Sequence, residues 1–355
     1  MDKNIQSLRL QVGPSPHVVG EDSVPKIMWT VVAALIPALV VATANFGWYS
    51  LLVVGLSVMS AVATEAIIVY LRSPEADHLS TITDGSAFLT GMLLAFTLPP
   101  NVPLYLPVIG SAFAIGIAKH AFGGLGCNIW NPALAGRAFL LAAYSNYIVM
   151  TKWPILPQLF SGNITGVDAV SAATPCALLH SAPLSFFNNY SIMDIFFGRI
   201  PGSIGETSAF ALILGGLYLI YKGYVNWRMP ASYILTVAAF VILFPIRGVG
   251  GELLWFWDAA SWTCANPLYL RVLAQIFSGG LMLGAFFMAT DMVTSPLTGK
   301  GQVIFGIGCG ILVGVIRYYG GYPEGVCYSI LIMNTVVWLI DKYTSPKLFG
   351  EVKNA

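Results

Sequence analysis

The stretch GGLGCNIWNPALAGRAFL, residues 123–140, decides the fold. Its second half is apolar enough to run through lipid as a helix. Its first ten residues, 123–132, hold three glycines, two asparagines and a proline, and such a segment cannot sustain a helical hydrogen-bond ladder. In hydrocarbon every backbone N–H and C=O must find a partner inside the protein, so non-helical backbone at that depth has to line a cavity or be buried. Asn128 and Asn131 are the residues that would satisfy exposed backbone at the break. The stretch therefore predicts broken or half-length helices inside a membrane bundle.

The surroundings agree. The apolar run at 85–98 is short and stops at Pro99-Pro100, and the run at 104–118 is short as well. Further runs of helix length fall at 27–46, 49–71, 131–150, 207–221, 230–246, 270–289, 302–316 and 326–340, which makes about ten spans. Charged residues are 9% of the chain against roughly 25% in soluble domains, and the mean hydropathy is +0.76. An all-α polytopic membrane protein is expected. With spans of about 20 residues each, the 355 residues leave little for a folded soluble domain, and a single bundle with one long loop is expected.

The same composition excludes several functions. A net charge of +1 offers nothing to nucleic acid. Cys127, Cys176, Cys264, Cys309 and Cys327 are scattered without a CxxC, so cluster or c-type haem ligation by this chain alone is not expected. None of His17, His78, His120 and His180 forms a helical pair for a b-type haem. Redox chemistry here needs an organic cofactor. Residues 1–26 are polar and lack the pattern of a cleaved signal, so the segment is expected to be retained.

Lys and Arg orient the bundle. With a cytoplasmic N-terminus, the inner side holds Lys3, Arg9, Lys26, Arg72, Lys119, Lys222, Arg228, Lys300, Lys342, Lys347 and Lys353, and the outer side Lys152, Arg199, Arg247, Arg271 and Arg317. This bias of 11 to 5 predicts both termini in the cytoplasm. The expected organisation is a cytoplasmic segment 1–26, a first membrane repeat 27–150, an outer loop 151–204, a second repeat 205–341 and a cytoplasmic tail 342–355. The repeats are visible in the sequence. A shift of 198 residues superposes Gly110 on Gly308, Gly116 on Gly314, Lys119 on Arg317 and Gly123 on Gly321, and a shift of 193 superposes Gly91 on Gly284 and Thr97 on Thr290. Five spans separate such positions, so the two five-helix halves would be inverted, an arrangement that builds a site near the midplane.

The outer loop carries DAVSAATPCALLH, residues 168–180. Thr174-Pro175 has the form of a helix start, with the hydroxyl beside unpaired N–H groups and the positive dipole end. A phosphate on the Thr174 hydroxyl would be stabilised there, with Asp168 and Ser171 available to the enzyme that attaches it. A plain helix cap is the other reading of the same residues.

DAVSAAT resembles the flavinylation motif D-x-x-[ST]-[GA]-A-[ST], in which the last hydroxyl receives FMN from a flavin transferase. Ala172 stands where Gly is usual and adds only a methyl. DGSAFLTGMLLAFTLPP (84–100), the opening stretch, GETSAFALILGG (205–216) and MATDMVTSPLTGKGQVIFGIGCGILVGVIRYYGGYPEGVCYSILIMN (288–334) resemble the same family in the same order. Together they are similar to the D subunits of the Rnf ferredoxin:NAD oxidoreductase complexes, relatives of the B subunits of the Na+-translocating NADH:quinone reductases. The resemblance implies covalent FMN at Thr174, with Asp168 and Ser171 in the motif. It also implies a second, noncovalent flavin such as riboflavin, and electron relay between ferredoxin and NAD coupled to Na+ or H+ translocation. Its partners would be the other subunits, the flavin transferase and membrane lipid, in a bacterial inner membrane. Lacking a nucleotide-binding glycine fingerprint, the chain is not expected to be catalytic alone.

Glu65, Asp84, Asp291 and Arg137 lie in or at the ends of apolar runs. Ionisable groups there face a cavity or each other. Asp84, Asp291 and Arg137 are candidates for an ion path, with Thr290, Thr294 and Ser295 supplying oxygens near Asp291. Arg137 is also a candidate for contact with an anionic flavin or for an ion pair with one of the acids, and for Glu65 a structural pair is the favoured reading. WFWDAASW, residues 255–262, suits an interfacial aromatic belt. A function of another class remains compatible with inverted repeats and broken helices, namely a small-solute channel or transporter; an attached redox group is what separates the two.

Overall fold

The computed structural model describes residues 22–72, 82–149, 151–152, 171–172, 176, 179, 190–247, 253–254, 268–320 and 324–346. Within them the protein is helical, with strand confined to two two-residue antiparallel pairs, β1 (Thr151–Lys152) with β2 (Ser171–Ala172) and β3 (Ile246–Arg247) with β4 (Leu253–Leu254).

The helices follow the apolar runs closely. They are α1 (Val24–Phe46), α2 (Trp48–Arg72), α3 (Ser86–Phe96), α4 (Tyr105–Phe113), which continues as a π-helix over Ala114–His120, and α5 (Pro132–Ala143). After the short α6 (Ser145–Val149) and α7 (Ile192–Phe197) come α8 (Ala209–Tyr221), α9 (Arg228–Leu243) and α10 (Leu268–Phe277). Then follow α11 (Leu281–Leu283), with a π-helical continuation over Gly284–Met288, α12 (Gly299–Tyr319) and α13 (Val326–Thr344). Among the described residues α1, α2, α12 and α13 are long and apolar enough to cross a bilayer, and α10 with α11 makes a fifth candidate bent by 66°. This is a multi-pass membrane protein. The 11 residues of α3 reach only about 16 Å at 1.5 Å each, roughly half of a hydrocarbon core.

The breaks have local causes. In 123–132 the backbone turns at Gly123, Gly124 and Gly126, all at positive φ. Asn131 then caps α5, its side chain accepting from the N–H groups of Ala133 and Leu134, and Pro132 opens the helix. The run at 270–289, expected as one span, is instead two pieces. Gly279 sits at φ +68, where a Cβ would lie 2.8 Å from the Cys176 sulfur, and a Cβ on Gly280 would press on the Glu206 carboxylate. A side chain at either position would expel the segments that fill the break.

Packing uses small residues to bring backbones together, as lipid requires. Gly306, Gly310 and Gly314 form one stripe of α12, and each abuts α9, at Ser232, Thr236 and Phe240. Gly91 of α3 abuts the α2 backbone at Ser57 and Val58, and the Ser57 hydroxyl donates to the Gly91 carbonyl at 2.7 Å. Gly110 meets Leu140 of α5 and Gly308 meets Met333 of α13; Gly116 faces Ile68 of α2 and Gly314 faces Phe240 of α9. Large apolar residues such as Val40, Met59, Ile67, Leu217 and Leu235 point outward, as a lipid-facing surface demands.

Candidate functional site

Two buried polar clusters lie at opposite ends of a pair of antiparallel half-helices. The end of α3 receives the chain at 204–205, with the N–H of Ile204 donating to the Leu98 carbonyl and that of Gly205 to the Phe96 carbonyl, both at 2.9 Å. Glu206, the next residue, touches Gly280, where α11 begins. The start of α3 and the end of the α11 π-segment instead share a cleft, lined by Ser86, Leu89, Phe286, Phe287 and Asp291. The two short helices thus pass each other in opposite directions.

The first cluster surrounds the start of α11. Arg137 of α5 donates through Nη1 to Glu206 at 2.6 Å and through Nη2 to Glu324, which precedes α13. Glu206 is 4% exposed and its Oε2 has no hydrogen-bond partner. Arg317 of α12 is also buried. It donates to the Gln275 carbonyl at 2.6 Å, to the Gln275 side chain at 3.2 Å and to the Ser278 carbonyl at 3.1 Å. Against this surface sits Cys176, buried, its sulfur 3.4 Å from the Ser278 hydroxyl. Burial pushes the Cys176 thiol up, away from the reactive thiolate.

The second cluster is at the start of α3. Lys119, in the π-helical end of α4, is 2% exposed and pairs with Glu65 of α2. It also donates to the Ser86 hydroxyl at 2.6 Å, and that hydroxyl donates to Asp84 at 2.6 Å. His120 stands 3.3 Å from Glu65, whose Oε2 is left without a partner. Lys119 and Ser86 line the cleft together with Thr90, Asn128, Asn131 and Asp291. The cleft encloses about 790 Å³, its open mouth included. Asn131 fixes one wall, donating to the Met288 carbonyl at 3.2 Å. With its amide oxygen turned toward Asn131, Asn334 accepts from the Asn131 N–H and donates to the Thr294 carbonyl.

The residues that stand out in the sequence are distributed over these clusters and beyond them. Thr174 and Asp168 lie outside the described residues, as do His180 and the aromatic segment 255–262. Ser171 is described only as backbone of β2, opposite Lys152. Cys176 and Leu179 are helical, and the expected helix start at Thr174-Pro175 lies outside the described residues. Asp291 accepts from Thr294 at 3.1 Å, and Asp84 reaches the same cleft through Ser86. Arg137 is held by Glu206 and Glu324, not by Glu65, Asp84 or Asp291, so its charge is already matched within the protein. Glu65 has a pair, but with Lys119.

Three residues of the clusters are not marked by the sequence pattern. Glu206 and Glu324 sit just before α8 and α13, outside the apolar runs; each follows a glycine or proline in sequence that signals a break. Lys119 has the position of a loop cation at the end of an apolar run, yet it is buried. Taking Lys119 from the eleven inner cations and Arg271 and Arg317 from the five outer ones, because all three are buried, leaves ten against three, and the bias keeps its direction.

Comparison with known proteins gives a consistent answer. The chain is 47% identical over 346 residues to the D subunit of the proton-translocating ferredoxin:NAD(+) oxidoreductase complex of Clostridium ljungdahlii, covering 96% of each chain. It is 44% identical over 351 residues to the D subunit of the Na(+)-translocating ferredoxin:NAD(+) oxidoreductase complex of Acetobacterium woodii, covering 98% of each. It is 34% identical over 369 residues to the D subunit of the ion-translocating oxidoreductase complex of Klebsiella pneumoniae, covering 96% of this chain and 99% of that one. The profile of one family matches residues 11–350, and the chain belongs to that family, described as NQR2, RnfD, RnfE.

Proposed function

We propose that the chain is the membrane subunit of an ion-translocating ferredoxin:NAD oxidoreductase complex and carries FMN in phosphoester linkage on the Thr174 hydroxyl. The observation that carries this reading is the docking of Cys176 beside the break between α10 and α11. Two residues of extended chain reach about 7 Å, so a flavin on Thr174 lies within reach of that surface. The residues present fit such a group: two glycines open the backbone, and the guanidinium of Arg317 has an Nε without a hydrogen-bond partner. Bound FMN supplies one- and two-electron transfer. The chain's own part is to hold and orient it, with Asp168 and Ser171 serving its attachment by the flavin transferase. Ferredoxin and NAD would be handled by the partner subunits.

The cleft between α3 and the α11 π-segment is the place for the second, noncovalent flavin, riboflavin. Leu89, Phe286 and Phe287 supply apolar walls, and Thr90, Asn128 and Asn131 converge as polar groups, the usual make-up of a cofactor pocket. Asp84 and Asp291 are the proposed ion entrance, because both reach this cleft and hard cations take oxygen ligands. Similarity to relatives named for protons and for Na+ leaves either ion open to it. Ten spans in two inverted halves are supported by the matching partners of Gly110 and Gly308, which face α5 and α13, and of Gly116 and Gly314, which face α2 and α9. In this reading both termini are cytoplasmic in a bacterial inner membrane, and 151–204 is external.

Ultraviolet fluorescence of the denatured band, followed by peptide mass spectrometry, tests the flavin. Fluorescence should map to the peptide containing Thr174 and vanish in Thr174→Ala. A dark wild-type band from cells that express the matching transferase would end the proposal.

A further inference from the structure

The two buried clusters differ in the kind of cation they hold. Around the start of α11 the cations are Arg137 and Arg317, and a guanidinium keeps its protons in a protein. At the start of α3 the cation is Lys119, and Glu65 contacts both its ammonium and the imidazole of His120. Ammonium, carboxylate and imidazole can all exchange protons.

These groups run without a gap from the surface to the cleft. His120 turns Nε2 to Glu65 at 3.3 Å. Its Nδ1 lies 3.7 Å from where a Cβ on Gly124 would stand, in a turn exposed at 121–123 and 125–127. Glu65 meets both His120 and Lys119 through Oε1 and leaves Oε2 buried without a partner, so a proton has a place to rest on it. Lys119 gives one N–H to Glu65 and one to the Ser86 hydroxyl. Of the three protons of an ammonium, the third has no acceptor among the described residues, and both Lys119 and Ser86 line the cleft. The other charged groups at this end are Asp84, which accepts from the Ser86 hydroxyl at 2.6 Å and from its N–H at 2.7 Å, and Asp291 across the cleft.

We propose that His120, Glu65 and Lys119 form a proton relay that supplies the cleft from the exposed turn. This rests on the reading of the cleft as the seat of the noncovalent flavin, whose reduction takes up protons as well as electrons. In each passage Lys119 releases a proton from Nζ to the acceptor in the cleft, and Glu65 hands a proton to the resulting amine. His120 takes a proton from water at Nδ1 and releases the one on Nε2 to Glu65; a ring flip then resets it. Every N–H or O–H bond broken is matched by one formed, while the electrons come from reduced ferredoxin through the partner subunits. These protons are consumed by chemistry in the cleft, apart from the ions that Asp84 and Asp291 would admit.

The test is proton uptake by the assembled complex, followed with a pH-indicator dye after mixing with reduced ferredoxin, which brings electrons and no protons. The phase that belongs to the cleft is the one absent from complexes stripped of noncovalent flavin. His120→Ala should slow this phase by about 10²–10⁴-fold, the usual range for a general acid or base, with the noncovalent flavin retained in equal amount on extraction. Added imidazole should restore it, and substituted imidazoles should do so in the order of their pKa. Lys119→Met, which cuts the relay deeper, should be slow with or without imidazole. Unchanged uptake in both His120→Ala and Glu65→Gln, with the flavin in place, would overturn the relay and leave the reading of the cleft intact. Slowing that imidazole does not relieve would assign His120 to packing and overturn the relay as well. A wild-type complex whose extract holds no noncovalent flavin would overturn the reading of the cleft and the relay with it. Should the variants not assemble, the wild-type complex decides: the cleft phase should slow in D2O, and no slowing would refute the relay.

Discussion

Arg137 shows how a single residue ties distant segments together, because Glu206 and Glu324 precede two different helices. Removing the cation leaves a buried carboxylate, Glu206, beside a partly buried one, Glu324. Arg137→Leu should destabilise the assembled protein by about 3–5 kcal/mol, the usual cost of breaking a buried pair, read as a loss of heat stability. Lys119→Met should act in the same direction through Glu65. The double variant Lys119→Met with Glu65→Gln should recover most of the loss, and no recovery would show that Lys119 serves the cleft ligand more than Glu65. Cys176 gives a simpler outcome: buried and with a raised thiol, it should resist membrane-impermeant maleimide in the native protein from either side and react once denatured. These roles were only partly legible in the sequence. An acid within an apolar run announces itself, whereas Glu206 and Glu324 meet at Arg137 only after the chain has folded back.

At the scale of the elements, composition and glycine placement carried most of the information. The segment 123–132 breaks at its three glycines and at Asn131, and Pro99-Pro100 closes α3 as expected. The split between α10 and α11 is hidden in the sequence because Gly279-Gly280 lies inside a run apolar enough for a full span, and only the approach of Cys176 and Glu206 shows why no side chain fits. The contact of α12 with α9 is equally dependent on absent side chains. Gly310→Leu should overpack it and cost about 1–3 kcal/mol or more, seen as lower yield of folded protein, while Ile311→Leu on the exposed neighbour should be neutral.

For the whole molecule, the cation bias survives the loss of three buried residues, so reporter fusions at residues 160 and 225 should report opposite sides, with 225 cytoplasmic; activity of a cytoplasm-only reporter at 160 would overturn the orientation. The membrane class and the family motifs were legible from sequence because each is local. The alignment of α3 against α11 was not, because it depends on contacts such as Ile204 with Leu98 that no periodicity encodes. If Asp84 and Asp291 guard the ion entrance, Asp291→Asn in an assembled, flavinylated complex should change the ion dependence or the ratio of ions to electrons. An unchanged ratio in Asp291→Asn, and likewise in Asp84→Asn, would leave both acids as caps.

The spacing of the buried charges also bears on synthesis. Glu65 leaves the ribosome 54 residues ahead of Lys119, and Arg137 emerges 187 residues ahead of Glu324. At about 5–20 residues per second, Arg137 waits roughly 10–40 s for its last partner, long after its helix has entered the insertion machinery. Glu206 supplies a first partner after 69 residues, so a ribosome that stalls before residue 206 releases a product in which Arg137 has neither acid, ready for recognition by membrane proteases.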